Sequence, residues 1–458
     1  MAGVAGSIEA AGRRFSLTIL SARLASAGVL AGVLAGLALV AGVAVPSRAR
    51  ANGAFPDSLQ LLLPADRPQQ IIVSTTFGLI ISDDNAKTWS WTCEQDNTMN
   101  AGLYQVGPPS QNRLYALSAD GLAFSDDVSC TWTLAGGALD TALTTDSFVD
   151  RSDPLRVLAI GVPDNAAMAT PEVFVSSDGG TTFGPSIYKA PADSGLTGVE
   201  IARSDPKVIY LAMFTTPGFH PKLVRTADGG AHWDPPIDLE PSLGANGFRI
   251  IAVDPANPNK IFLRVQAGLH NILAISEDGG RTIQTPITVD TLTAFVRLAS
   301  GTILVTGQTN MAGVGFRSTD GGKTFQPWTN VPNVRALAER DGKLYISADN
   351  TKDGFALAMS TDAGATLHPL LTFDKVSSIR PCVQTVCEAS CDMQAGLKVW
   401  PPETCHPDLP KPPMPMPATK SGCAYVSSGR ALSPRGGALL FILGTLAWLH
   451  HRRRSRRR

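Results

Sequence analysis

The stretch Ser318-Thr319-Asp320-Gly321-Gly322-Lys323-Thr324-Phe325 sets one carboxylate beside two glycines and two hydroxyls, a composition that could grip a cation or a phosphate. The same order of residue types recurs at 82–89 (SDDNAKTW), 125–132 (SDDVSCTW), 176–183 (SSDGGTTF), 226–233 (TADGGAHW), 276–283 (SEDGGRTI) and 360–367 (STDAGATL). Its central aspartates are Asp84, Asp127, Asp178, Asp228, Asp278, Asp320 and Asp362. A helix-loop-helix calcium site needs oxygen ligands at alternate positions through a longer loop closed by Glu. These octapeptides share one Asp and lack that Glu, so no metal is expected at them. Four further carboxylates, Asp146, Asp150, Glu200 and Glu339, fall near the ends of candidate strands, and a pair of them facing across a cleft could cleave a glycosidic bond. Turn and solvent roles explain each equally well, and nothing in the sequence selects a pair. The chain has only 7 His and no H-E-x-x-H or paired-His spacing, so neither a His-based metal site nor a cofactor is expected.

The elements that must carry these residues follow from the spacing. Successive aspartates lie 42 to 51 residues apart, the period of a four-stranded propeller blade. Upstream of most copies is a β-rich run, such as VIYLAMF at 208–214 or KLYIS at 343–347, and a second one enters the octapeptide directly. Asp153-Pro154, Asp205-Pro206 and Asp254-Pro255 mark turns before these runs. The unit therefore reads strand, Asp-Pro turn, strand, strand, octapeptide, strand. Gly-Gly supplies positive φ without a Cβ clash, and the Asp and Ser/Thr side chains can bond to the amides of the turn. The Trp or Phe that follows opens an outer strand as an apolar wedge between units. Copies one and two carry Ala86 and Ser129 in place of the second Gly, so side-chain bonds are expected to hold those turns more heavily. The expected fold is all-β, a seven-bladed propeller, with residues 55–65 forming its first strand or closing the ring.

This Ser-x-Asp-x-Gly-x-Thr-Trp pattern resembles the Asp-box, or BNR, repeat of sialidases, sortilin-type receptors, xyloglucanases and the photosystem II assembly factor. The resemblance covers roughly residues 55–375 and implies a β-propeller in which the box is a rim hairpin remote from any active site. It implies little about function. A sialidase of that family would need an arginine triad, a Tyr nucleophile and an Arg-Ile-Pro signature. This chain offers only Phe248-Arg249-Ile250-Ile251, without the Pro, and 6 Tyr. Arg249 is read as an ordinary strand residue and Tyr345 as a core position.

Lys+Arg and Asp+Glu both number 39, which gives no field favouring nucleic acid. Arg13 and Arg14 precede an uncharged run from Leu24 to Val45 and then Ala49-Arg50-Ala51, the layout of a secretory signal (1–51) cleaved after Ala51. The apolar run is longer than usual, so an uncleaved anchor is the alternative. A propeller at 52–378 is then expected to be followed by a disulfide module at 379–406 holding Cys382, Cys387, Cys391 and Cys405, the spacing lacking the C-x-x-C of a zinc site. Cys93 and Cys130 could pair with each other. A Pro-rich linker (407–422) leads to a tail (423–458) with an apolar run at 436–449 followed by six arginines around Ser455. Ser421-Gly422-Cys423 ahead of that run resembles the C-terminal sorting tail of myxobacterial surface proteins, which implies Cys423 as a modification site and a membrane-anchored tail.

The expectation is an exported, non-enzymatic propeller attached to the cell envelope or outer surface, binding an extracellular protein or glycan ligand. A secreted glycoside hydrolase, sialidase- or glycanase-like, is the alternative.

Overall fold

The computed structural model describes residues 56–94, 103–108, 113–118, 120–140, 142–163 and 169–407. The expected signal with Ala51, most of the linker, and the tail with Cys423 lie outside the described residues. Among those described, no helix is long and apolar enough to cross a membrane.

Seven four-stranded antiparallel sheets follow one another in chain order, at 58–92, 103–134, 143–189, 194–238, 247–289, 291–328 and 334–371; they are blades 1 to 7. Within each blade the strands pair in sequence order, so the first is innermost and the fourth outermost. First strands pack side by side between blades 1 and 2, 2 and 3, 3 and 4, 4 and 5, 6 and 7, and 7 and 1. The FPDSLQLLLPA stretch supplies the first of these, Ser58–Leu62. Second strands are largely apolar, and in blade 1 the third strand is as well, because both faces of a blade are covered by its neighbours. Ile71–Thr75 and Gly78–Ser82, for example, are buried at every position.

The core is accordingly a series of seams rather than one centre. Ile72, Leu79 and Ala116 fill the space between blades 1 and 2. Leu211, Val224 and Leu158 lie between blades 3 and 4, and Phe262, Ile287 and Val305 between blades 5 and 6.

Each blade uses four strands of its own, so the ring is closed by other means. Ser378–Ile379 adds a fifth, parallel strand to the outer edge of blade 1, beside Ser90 and Trp91. The helix Gln384–Gly396 follows, and Trp400 then packs on Phe77 and Trp91 with ring centroids 5.6 and 5.0 Å apart.

The cysteines correct the sequence reading here. Only Cys391–Cys405 closes within 379–406. Cys93 bonds to Cys387 and Cys130 to Cys382, across 294 and 252 residues. The Cys93–Cys130 pairing does not form, and the segment is a strap bolted to blades 1 and 2 rather than a self-contained module. Cys93 ends the outer strand region of blade 1, and Cys130 sits inside the second octapeptide. Chain proximity at 382–405 suggested local bridges, but the ring brings residue 93 closer to 387 than sequence separation implies.

Candidate functional site

All seven octapeptides lie between the third and fourth strands of their blades and share one hydrogen-bond scheme. In blade 6, Asp320 accepts from Ser318 Oγ at 2.8 Å, from the Thr324 amide at 3.0 Å and from Thr324 Oγ1 at 2.6 Å. Ser318 Oγ accepts from the Gly322 amide at 2.8 Å. The first residue of every copy, from Ser82 to Ser360, is buried, whereas Asp320 and Asp362 face solvent. These bonds to the ionised form hold Asp84, Asp228, Asp320 and Asp362 below the usual carboxylate range, Asp84 at about 2 with Thr88 as the main cause.

Positions four and five of each turn are left-handed. Asn85, Ala86, Val128 and Ser129, and Ala363 in the seventh copy, adopt positive φ where copies three to six use Gly-Gly. The first two copies keep the same bonds as the rest, and the second adds one, from Ser129 Oγ to Thr92 Oγ1 of blade 1 at 3.3 Å. The fifth position also abuts the preceding blade. A Cβ on Gly280 would lie 2.4 Å from Leu223, and one on Gly364 would lie 2.3 Å from Trp328. Trp233 reaches back in the same direction, donating from Nε1 to the Ile187 carbonyl of blade 3 at 2.9 Å. The hydrogen bonds of the repeated aspartate are made within its own turn.

The four candidate carboxylates scatter. Asp150 is buried and accepts from the Ser152 amide and hydroxyl and from Arg156. Glu339 of blade 7 accepts from the Ala299 amide of blade 6 at 2.6 Å. Tyr345 is buried in the seam between blades 7 and 1. Asp146 and Glu200 do come together, on the adjacent first strands Leu143–Val149 of blade 3 and Ser194–Ile201 of blade 4. Six of the seven first strands carry a register shift, and Asp146 follows the one in blade 3. Its Oδ2 accepts from the Val199 amide of blade 4 at 2.9 Å.

That bond belongs to a set of side-chain clasps between first strands. Gln60 accepts from the Tyr104 amide at 2.7 Å, and Thr197 Oγ1 donates to the Phe248 carbonyl at 2.9 Å. Burial pushes the Asp146 carboxyl up to about 6 against the opposing pull of the Val199 amide and of Arg249. Burial, and then the charge of Asp146, push Glu200 well above the usual carboxylate range, with Arg151 opposing. The first strands of blades 3 to 5 thus carry a joint set of ionisable groups: Asp146, Glu200, Arg249, and Arg151 just beyond the strand end.

Sequence reading passed over two groups here. Arg249 stands directly opposite Arg264 of the neighbouring strand Ile261–Ala267. Arg264 interrupts the apolar run IFLRVQA, a signal visible in the sequence, but its pairing with Arg249 is a matter of register. Phe214 and Phe219 of blade 4 stack at 4.8 Å, and nothing local announces that contact. Among the described residues no group of three or more His, Cys, Asp or Glu is placed to hold a metal.

No protein-family model and no curated protein matches the chain. Solved structures similar to it include the GH74 enzyme of Niastella koreensis, at 14% identity and TM-score 0.39, covering 68% of this chain and 65% of that one. YCF48 bound to D1 peptide is similar at 18% identity and TM-score 0.32, over 50% of this chain and 68% of that one. The β-propeller domain of the Trilobed protease from Pyrococcus furiosus is similar at 10% identity and TM-score 0.46, over 69% and 98%. The chain spans less than two thirds of the Niastella enzyme. At such identities the likeness concerns the fold.

Proposed function

We propose that this chain is a non-enzymatic binding propeller, exported and held at the cell envelope by its C-terminal tail, with its ligand taken at the mouth of the ring. The observation that carries the reading is the engagement of its carboxylates. Asp146 fastens blade 3 to blade 4, Glu339 fastens blade 7 to blade 6, and Asp150 is spent on its own turn. Each is consumed by the scaffold, whereas catalysis of glycoside cleavage needs two carboxyls free to exchange protons or attack. The seven repeated turns and the cysteine strap supply rigidity, which suits a surface that presents loops.

One observation favours the alternative of a glycoside hydrolase. Burial raises the Glu200 carboxyl well above the usual range beside Asp146, the direction a general acid next to a second carboxyl requires. A single experiment separates the two. The secreted protein is incubated with mixed polysaccharides and assayed for new reducing ends, beside Glu200→Gln. Ligand retained with unchanged mass and no reducing ends supports binding. Release of reducing ends that disappears in Glu200→Gln overturns it.

A further inference from the structure

Arg249 and Arg264 are directly opposed cross-strand partners in blade 5. Side chains at such positions stand about 5 Å apart at Cβ, and like charges there repel. Among the described residues neither guanidinium makes a hydrogen bond or an ion pair, unlike Arg113, Arg156, Arg225, Arg297, Arg335 and Arg380, which are all paired. Arg249 is exposed and Arg264 half-buried, so the pair opens to solvent at one edge and is backed by protein at the other. The backbone at this point is fixed, since Thr197 of blade 4 grips the carbonyl of Phe248, the residue before Arg249. Two guanidinium forks opposed on a held stretch of backbone, with only Asp146 of blade 3 bearing on Arg249, are arranged for an anion that accepts from both.

The surroundings specify the kind of anion. Arg249 lies two residues before the register shift of its first strand, and Gly195 holds the same position in blade 4. Gly195 pairs with Phe214 as Arg249 pairs with Arg264, so Phe214 stands level with Arg264 on the adjacent blade. A Cβ on Gly195 would lie 2.2 Å from the Phe214 ring, so the glycine makes room for that ring. Phe219, stacked on Phe214, is 56% exposed at the hairpin between the second and third strands. The equivalent hairpins of blades 5 and 6 end in Leu269 and Met311, 89% and 83% exposed. Three consecutive blades therefore raise bare apolar tips on the same side of the ring. In blade 1 the corresponding Phe77 is covered by Phe373 and Trp400 of the C-terminal segment. A flexible thioether, an aliphatic tip and an aromatic ring suit apolar side chains of varied shape better than a row of sugar rings.

We propose that this side of blades 4 to 6 docks a polypeptide segment of mixed acidic and apolar character, with its carboxylate held by Arg249 and Arg264 and its apolar side chains resting on Phe219, Leu269 and Met311. The proposal rests on the binding reading above and names the partner's chemistry.

The test uses the full chain on an array of short synthetic peptides that combine Glu with Leu, Ile or Phe, each beside a copy with Gln for Glu. Binding to a subset of the Glu peptides is expected. It should weaken about tenfold or more in the Gln copies, in Arg264→Gln and in Arg249→Ala, and with rising salt. Arg249→Lys should lose part of the binding, since the charge remains and the fork is gone. Arg264→Gln should melt no lower than the parent, because it relieves a repulsion, and this shows that its lost binding is not lost folding. No bound peptide, or bound peptides indifferent to both arginines, overturns the proposal. Retention of uronate oligosaccharides with the same arginine dependence overturns the polypeptide assignment. Hydrolysis of any retained probe counts against the binding reading alone.

Discussion

Replacing Ser318 with Ala should destabilise the propeller more than replacing Asp320 with Ala, although the aspartate makes more hydrogen bonds. Ser318 is 1% exposed, and its Oγ accepts from the Gly322 amide in a buried contact. Gly322 is wedged against Ile275 and Ile303, so water cannot replace the lost hydroxyl. A buried amide left without a partner costs about 1–3 kcal/mol. In Asp320→Ala the Thr324 amide and hydroxyl, both at the solvent edge, pass to water, and the Ser318 hydroxyl loses its acceptor but keeps the bond from the Gly322 amide. Equilibrium urea unfolding of the two variants and the parent measures the difference directly, with unchanged slopes showing that only stability moved. Loss from Asp320→Ala equal to or above that from Ser318→Ala would refute the reasoning, because the carboxylate and not the buried hydroxyl would then be the principal fastener.

Two further predictions follow from the same geometry. Stability should rise as pH falls from 7 towards 5 and then decline below about 4. Asp146 and Glu200 have raised pKa values in the fold, so folding is penalised above the folded pKa and the penalty lifts as they protonate, for Asp146 by on the order of 2–3 kcal/mol. The box aspartates are depressed, so their contribution is present above the unfolded value near 4 and is lost as pH falls through the folded values. Thermal melts from pH 3 to 8 check this, and a flat or monotonic profile through pH 5–7 contradicts it. Separately, replacing Cys93 and Cys387 by Ala should lower stability by about 3–5 kcal/mol, because that bridge closes a loop spanning nearly the whole ring. Limited proteolysis should then cut the strap beyond Cys382, and resistance equal to the parent would show that the Cys130–Cys382 bridge and the packing of Trp400 suffice to hold it.

What was readable in the sequence was what is encoded within a few residues. Each octapeptide bonds to itself, so its residue types survive as a repeated string, and seven strings at blade spacing name the architecture. The left-handed turn positions were visible as Gly-Gly for the same reason. Burial within the turn was not, because it is Gly322, whose amide Ser318 holds, that lies against Ile275 and Phe262 of blade 5. Asp146 and Glu200 were named as candidates, but only the stacking of blade 3 on blade 4 made them neighbours.

The sequence by itself determined an all-β chain of seven equivalent units with an unusual supply of cysteines after them, because local turn chemistry and strand periodicity need no distant partner. Only the tertiary structure decided which cysteines meet, that Arg249 faces Arg264, and which apolar tips stay bare. Those contacts depend on register between strands and on the closure of the ring, which bring together residues as far apart as 93 and 387. No short stretch of sequence carries that information, since it resides in how the blades pack.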